Sequence, residues 1–240
     1  MNQGKLIVIE GIDGVGKNTQ AKLLAANIAC VAPVRLFSFP QYDTPTGKEV
    51  AAYLNGEKGE LSRFEISKLY AEDRAAALDE ILNCLESGVH VVCDRYVLSN
   101  IAFQSSWYLS RSDAGDKELQ LAESIIDQIY MLEYGENEMP KPDLTLCLIL
   151  PVEVTTERVL GKAKRDYTEA AQDLHEADMK LQMTTAAFYT NAFDMGFEEP
   201  IEPIVCWDSD TETQLSPEAI QNKIIFPHVS NLIPSLRRDR

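Results

Sequence analysis

The sequence has little positive charge. It carries 22 Lys and Arg residues against 38 Asp and Glu residues, which gives a formal net charge of −16 and a pI near 4.6. A chain of this sign is repelled by the phosphate backbone of nucleic acids and by anionic lipid surfaces. We therefore expect neither a nucleic acid nor a membrane among its partners.

Long apolar runs are missing as well. No run approaches the roughly 18 residues that a membrane-spanning helix needs, and Leu144–Leu150 is among the longest. The N-terminus has no basic stretch followed by an apolar one, so we expect a cytoplasmic protein. The 240 residues show no linker or internal repeat. We therefore predict a single domain over residues 1–240, although the length also allows two small domains.

The cysteines and histidines form no recognisable pattern. The five cysteines include no closely spaced pair, and the three histidines lack the spacing of metal ligands. This excludes a zinc knuckle and a dithiol redox motif, and the cysteines are better explained as small apolar residues in a reducing compartment.

What the chain does have is a glycine-rich loop at residues 11–19, Gly-Ile-Asp-Gly-Val-Gly-Lys-Asn-Thr. An apolar, strand-like run precedes it and a helical pattern follows, which is the context that a phosphate-binding loop requires. Glycines let backbone N–H groups approach an anion, and the helix N-terminus and a lysine add positive charge. The predicted ATP-binding residues here are Gly11, Gly14, Val15, Gly16, Lys17, Asn18 and Thr19. The alternative is a glycine-rich turn without a ligand.

One position of this loop departs from the motif. The residue after the lysine is normally Ser or Thr, whose hydroxyl holds Mg²⁺, but here it is Asn18, with Thr19 one residue later. This weakens the prediction of a metal site more than that of a phosphate site.

Two later strand-like runs end in polar or aromatic residues. One ends in Phe39-Pro40, with Tyr42 in the following loop, and the other ends in Asp94-Arg95. In open α/β sheets, ligands bind at the carboxyl ends of the strands. Asp94 occupies the place of a Walker-B-type carboxylate. For the first run alone, an ordinary aromatic strand end is an equally good interpretation.

Two predicted helices carry groups that suit a planar base. Tyr70 and Arg74 are four residues apart, as are Asn100 and Gln104, with Phe103 beside the latter pair. Residues four apart share a helix face. A ring and a guanidinium, or a ring and two amides, can therefore stack on a base and hydrogen-bond to it. The alternative is an ordinary polar helix surface.

Positively charged residues are concentrated in one short stretch. Arg158, Lys162, Lys164 and Arg165 place four positive charges within eight residues. We interpret residues 158–172 as a lid that closes over transferred phosphates and shields them from water. The alternative is a solvated helix end with C-terminal cations.

The order of these motifs resembles the thymidylate kinase family. The resemblance rests on Gly11-x-Asp13-Gly14-x-Gly16-Lys17-x-Thr19-Gln20, Phe39-Pro40-x-Tyr42 and Asp94-Arg95-Tyr96-x-x-Ser99, and it extends from residue 5 to about residue 208. It implies the P-loop nucleoside monophosphate kinase fold: three α/β/α layers, a five-stranded parallel sheet and a lid segment. It also implies a homodimer that uses ATP with Mg²⁺ to phosphorylate dTMP. The tail at residues 227–240 lies beyond the resemblance and has no functional interpretation.

The resemblance also implies roles for individual residues. Lys17 would hold the donor phosphates, Arg95 the acceptor phosphate, and Asp13 the 3′-hydroxyl of dTMP. Tyr70 would stack on thymine, and Phe39-Pro40, with a cis bond as in relatives, would line its methyl pocket. The implied dTMP-binding residues are Asp13, Phe39, Pro40, Tyr42, Tyr70, Arg74, Arg95, Ser99, Asn100, Phe103 and Gln104. Phe103 stands where many relatives carry Tyr, so it could disfavour a 2′-hydroxyl only by bulk. The implied metal ligands are Asp13, Asp94 and Glu176.

Relatives carry their catalytic arginine either in the phosphate loop or in the lid. This loop has none, so the resemblance implies the lid-arginine type, with Arg158 or Arg165 stabilising the transition state and Lys162 on ATP. The predicted catalytic residues are Lys17, Asp13, Arg95, Arg158 and Arg165. Two alternatives stay open: a kinase for another pyrimidine monophosphate such as dUMP, and a non-catalytic nucleotide sensor. A GTPase is disfavoured because the chain lacks an Asn-Lys-x-Asp guanine motif.

Overall fold

A computed structural model describes residues 3–111, 114–161, 175 and 178–237. Within them lies a five-stranded sheet with the order β2-β3-β1-β4-β5, in which every neighbouring pair is parallel. The strands are β1 (Leu6–Glu10), β2 (Val34–Ser38), β3 (His90–Asp94), β4 (Leu144–Ile149) and β5 (Ile201–Val205). The predicted five-stranded parallel sheet is confirmed.

Helices cover both faces of this sheet. They are α1 (Lys17–Ala29), α2 (Pro45–Leu54), α3 (Arg63–Ala75), α4 (Leu78–Glu86), α5 (Val97–Leu109), α6 (Asp116–Tyr130), α7 (Val152–Leu160), α8 (Met179–Asn191), α9 (Pro217–Ile220) and α10 (Phe226–Leu232). A π-helical turn, Met131–Glu136, continues α6, and another, Gln221–Ile225, joins α9 to α10. Two short strands after β5, β6 (Trp207–Asp208) and β7 (Thr213–Gln214), form a hairpin.

The core lies on both sides of β1, all of whose residues are buried. This is expected of a parallel strand, which helices cover on each face. One core cluster packs α1, α8 and the C-terminal segment (residues 217–237) against one face of the sheet. A second cluster packs α4, α5 and α6 against the other face. No helix among the described residues has the length and apolar character needed to cross a membrane.

The C-terminal segment is an integral part of the first cluster. Its buried side chains are Ile220, Ile225, Val229, Ile233 and Leu236. Gln221 also donates through Nε2 to the backbone oxygen of Gln20, at 2.9 Å, and to its side-chain oxygen, at 2.8 Å. This segment, up to residue 237, therefore braces the helix that begins at the phosphate loop.

Candidate active site

The glycine-rich loop connects β1 to α1, and its backbone adopts conformations that favour glycine. Gly11, Gly14 and Gly16 all have positive φ angles, of 137°, 83° and 107°. A Cβ on Gly14 would lie 2.4 Å from the backbone oxygen of Thr155. The loop ends at the N-terminus of a 13-residue helix, where exposed N–H groups and the helix dipole favour an anion.

Lys17 is the first residue of α1 and is only 7% exposed. Its Nζ donates to the backbone oxygen of Ile12 at 2.8 Å and lies 4.0 Å from Oδ1 of Asp13. Burial, together with the nearby Arg95 charge, lowers the pKa of Lys17 to about 8. The lysine charge is therefore held in a site that anionic phosphates would stabilise.

Asn18 and Thr19 occupy the next two positions of α1 and are exposed, whereas Val15 is buried. An exposed amide at position 18 therefore stands where the motif places a magnesium-binding hydroxyl.

Arg95 connects this loop to the neighbouring strand end. It follows β3 directly, has a positive φ of 68°, and forms an ion pair with Asp13 of the loop. Its guanidinium also donates to Oγ of Ser99 at 3.0 Å and lies 5.4 Å from the ring centroid of Phe103. Non-glycine residues rarely adopt this backbone conformation. From the end of β3 the Arg95 side chain reaches Asp13 in the phosphate loop.

A single pocket opens beside this ion pair. The structure brings all of the predicted acceptor-site residues into its lining and adds Leu54 and His175. Phe39 and Pro40 join through a cis peptide bond. The lining comprises Asp13, Phe39, Pro40, Tyr42, Leu54, Tyr70, Arg74, Arg95, Ser99, Asn100, Phe103, Gln104 and His175.

Two buried amides supply the pocket with hydrogen-bonding atoms. Asn100 and Gln104 are 2% and 1% exposed. Nδ2 of Asn100 donates to the backbone oxygen of Ser67 at 2.9 Å. Oδ1 of Asn100 and both terminal atoms of Gln104 have no partner among the described residues. Buried polar atoms are normally paired, so these three are suited to a polar ligand.

Arg74 is held by a residue that sequence reasoning missed. The guanidinium lines the pocket, but it also forms a buried ion pair with Glu133, and its Nε lies 3.1 Å from each carboxylate oxygen. Glu133 also accepts a 3.0 Å bond from Asn100. It lies on the π-helical turn 59 residues further along, and no local pattern marks it. The carboxylate therefore fixes Arg74 and Asn100, two of the three polar groups predicted to hydrogen-bond to a base.

His175 adds a ring to the pocket. It stacks on Phe103 with ring centroids 5.2 Å apart and planes 12° apart, and its Nε2 lies 3.1 Å from the hydroxyl oxygen of Tyr53. Burial lowers the pKa of His175 to about 4, so the ring is neutral near pH 7. The predictions from the sequence did not include His175 among the site residues.

Arg158 is the one predicted lid cation within the described residues. It lies on α7, where its guanidinium donates to the backbone oxygen of Gly14 at 3.3 Å and to Gln214. It therefore touches the phosphate loop. Lys162, Arg165 and Glu176 lie outside the described residues, as does most of the predicted lid.

Asp13 and Asp94 are the described carboxylates predicted to bind metal. Both raise the pKa of Lys17 by their charge, which places them around the end of the phosphate loop. Among the described residues, no group of three or more His, Cys, Asp or Glu side chains could hold a metal ion. Two carboxylates fit a Mg²⁺ ion that takes its other ligands from phosphate and water.

A parallel sheet with a phosphate loop on its central strand, and a polar acceptor pocket at the same edge, defines a P-loop kinase for a small phosphorylated substrate. Comparison with known proteins narrows this class. The family model for thymidylate kinases matches residues 9–204, and this chain belongs to that family.

The individual proteins that this chain resembles include several thymidylate kinases. The chain is 35% identical to the thymidylate kinase of Mycobacterium tuberculosis (strain H37Rv) over 196 residues, which covers 80% of this chain and 87% of that protein. The enzyme of Desulfotalea psychrophila is 29% identical over 77% of this chain and 80% of its own length. The thymidylate kinase structure from Candida albicans superimposes with a TM-score of 0.71 at 24% identity, covering 98% of this chain and 94% of that one, which supports the fold.

Proposed function

We propose that this thymidylate kinase transfers the γ-phosphoryl group of ATP to dTMP, giving ADP and dTDP. The observation that carries the proposal is the position of the acceptor pocket. It opens directly beside the phosphate loop and shares Asp13 with it, so two phosphorylated ligands would meet end to end. Family membership supports the same reaction.

Little covalent chemistry is required of the protein in such a transfer, because positioning and charge stabilisation supply most of the catalysis. Lys17 and the loop N–H groups bind the donor phosphates. Arg95, aimed across the sheet edge, binds the acceptor phosphate, and Asp13 orients both Arg95 and the 3′-hydroxyl of dTMP. Arg158, which contacts the loop at Gly14, or Arg165 adds charge at the transition state, and Lys162 binds ATP.

The base would enter the apolar end of the pocket. Tyr70 stacks on thymine, and Phe39 with Pro40 lines the space for its methyl group. The unpaired amide atoms of Asn100 and Gln104 offer both donors and acceptors, which match the N3–H and O4 edge of the base.

Mg²⁺, when bound with ATP, neutralises charge on the transferred phosphoryl group. We assign its protein ligands to Asp13 and Asp94, and to Glu176 as a prediction from the resemblance. Asn18 offers an amide oxygen in place of a hydroxyl at this position, so the two aspartates carry more of the binding.

The test is a substrate panel. ADP release is measured with dTMP, dUMP, UMP and dCMP, and a Lys17→Ala variant serves as the inactive control. We expect dTMP to give the highest kcat/KM. A higher kcat/KM for dUMP would indicate another pyrimidine monophosphate kinase. Tight binding of dTMP and ATP-Mg without turnover would indicate a sensor.

We also propose that the enzyme is a cytoplasmic homodimer. Apolar side chains are exposed on α5, α6 and the turn after them, at Leu109, Leu119, Leu121 and Met131. A second copy could cover such side chains. All five cysteines are free thiols, as expected in a reducing compartment. Light scattering on the purified protein should give twice the chain mass of 26.8 kDa, and a monomer mass would contradict the proposal.

A further inference from the structure

Glu10, the last residue of β1, is fully buried but is not part of the pocket lining. Its Oε1 accepts from the backbone N–H groups of Tyr96, at 2.7 Å, and Ser99, at 3.1 Å. Its Oε2 accepts from Oγ of Ser99, at 2.5 Å, and from the hydroxyl of Tyr189, at 3.0 Å. A buried carboxylate with four donors is the centre of a hydrogen-bond network rather than an isolated charge.

The network encloses Arg95. Tyr96, the next residue, is bound to Glu10 through its N–H group. Ser99 binds the carboxylate through both its N–H group and its hydroxyl, and the same hydroxyl accepts from Nη1 of Arg95 at 3.0 Å. The backbone of Arg95 itself is in the unfavourable left-handed region, with φ 68°. Such a conformation persists only where the surroundings enforce it.

Tyr189 extends the network to a third element. It is a fully buried residue of α8, the helix on which Gln182 approaches Asp13 with its Nε2 3.5 Å from Oδ2. Glu10 thus joins the strand before the phosphate loop, the turn that carries Arg95, and the helix behind the Asp13–Arg95 ion pair.

We propose that Glu10 is a positioning residue for phosphoryl transfer, which fixes Arg95 in the orientation that binds the acceptor phosphate. This inference rests on the proposed function, because it assigns Glu10 to the same reaction. Glu10 acts through Arg95 and Ser99 and does not touch the substrate. It should therefore affect recognition of the phosphate and not of the base.

Comparison of dTMP with thymidine, which lacks the phosphate, separates these effects. Glu10→Gln replaces one carboxylate oxygen with an amide nitrogen, which cannot accept a hydrogen bond. The network therefore loses at least one hydrogen bond and the negative charge of its acceptor. We expect calorimetry to show an increase of about 10-fold in the Kd for dTMP and a change of less than about two-fold in the Kd for thymidine. Equal weakening of both ligands would overturn the proposal, since a general loss of structure has that effect.

A double-mutant cycle tests the connection to Arg95. If Glu10 acts through this side chain, Glu10→Gln should weaken dTMP binding further by less than about two-fold in an Arg95→Ala background. A full additional loss in that background would overturn the proposal.

Tyr189→Phe keeps the inference testable if Glu10→Gln does not fold, because it removes only one of the four bonds. Tyr189→Phe should raise the Kd for dTMP about three-fold and leave the Kd for thymidine unchanged. Equal changes in the two Kd values would overturn the proposal. Measurements on the wild-type protein distinguish a failure of the proposed function from a failure of the proposed role of Glu10. If it neither binds nor phosphorylates dTMP, the proposed function fails, whereas an active wild type with non-selective variants refutes only the role of Glu10.

Discussion

Arg74 and Glu133 form an ion pair that water hardly reaches, with side chains 2% and 0% exposed. Glu133 also binds Asn100, so one carboxylate orients two groups of the acceptor pocket. The cost of burying the pair is offset only while both charges are present, because an unpartnered buried charge is strongly unfavourable.

Glu133→Gln should therefore destabilise the protein by about 3–5 kcal/mol, since it leaves the Arg74 guanidinium buried without its counter-charge. Urea denaturation measures the loss. Glu136→Gln is the matched control, because Glu136 lies on the same π-helical turn and is exposed. We expect less than about 0.5 kcal/mol there. Similar values for both variants would show that the buried pair contributes little.

Gln104→Ala should raise the KM for dTMP about 10-fold and leave the KM for ATP nearly unchanged, because the amide faces the acceptor pocket and not the phosphate loop. Thymidine binding should weaken by a similar factor, in contrast to the effect expected of Glu10→Gln. Gln120→Ala, on the exposed side of α6, serves as the control. An unchanged KM for dTMP would remove Gln104 from base recognition.

The value of kcat/KM for ATP should fall as the pH rises through about 8. The pKa of Lys17 is lowered to about 8 in the free protein. The ammonium form, which attracts phosphate, predominates below that value and the neutral amine above it. With saturating ATP the bound phosphates keep Lys17 charged, so kcat should not show this decline. Steady-state kinetics across this range provide the test, and a flat kcat/KM up to about pH 9.5 would contradict it.

Asn18→Thr should restore a hydroxyl at the position where the loop motif places a magnesium ligand. We expect the Mg²⁺ concentration for half-maximal activity to fall about three-fold or more, because a hydroxyl oxygen suits this hard cation. Thr19→Val tests the neighbouring hydroxyl. If Thr19→Val raises the Mg²⁺ requirement while Asn18→Thr changes nothing, Thr19 already supplies the ligand and the prediction is wrong.

Ile225→Ala in the C-terminal segment should cost about 2–5 kcal/mol of stability, because Ile225 is fully buried in the core cluster that contains α1. Lys223→Ala, an exposed position of the same turn, should change stability by less than about 0.5 kcal/mol. Thermal or urea unfolding of both variants makes the comparison. Equal midpoints would mean that the segment frays in solution.

The parts of the fold that could be predicted from the sequence are those with local signatures. The apolar run before Gly11 and the glycines after it indicate strand, loop and helix within a few residues of one another. Asp94-Arg95 could be placed at the sheet edge because strand ends carry their own polar residues. Parallel pairing then brings these loops together without further information.

The parts that escaped prediction depend on contacts between distant residues. Glu133 meets Arg74 across 59 positions, and Glu10 in the sequence is only the last residue of an apolar run. His175 contacts rings from three helices, Tyr53 of α2, Tyr70 of α3 and Phe103 of α5, which lie far apart in the sequence. No proline or glycine marks the break between α3 and α4 at residues 76–77. Such features depend on side-chain packing between distant segments, which the hydrophobic periodicity of the sequence does not indicate.

The sheet order places β1 directly between β3 and β4, so the strand that carries the phosphate loop is the immediate neighbour of the strand that ends at Asp94-Arg95. Adjacent strands are fixed about 4.8 Å apart by their backbone hydrogen bonds. The separation between the phosphate loop and Arg95 is therefore set by the main chain, whereas the residues that we propose for base recognition, Tyr70, Arg74, Asn100 and Gln104, lie on α3 and α5. Mutations that redesign base preference can accumulate on those helices without disturbing the distance over which the phosphoryl group travels.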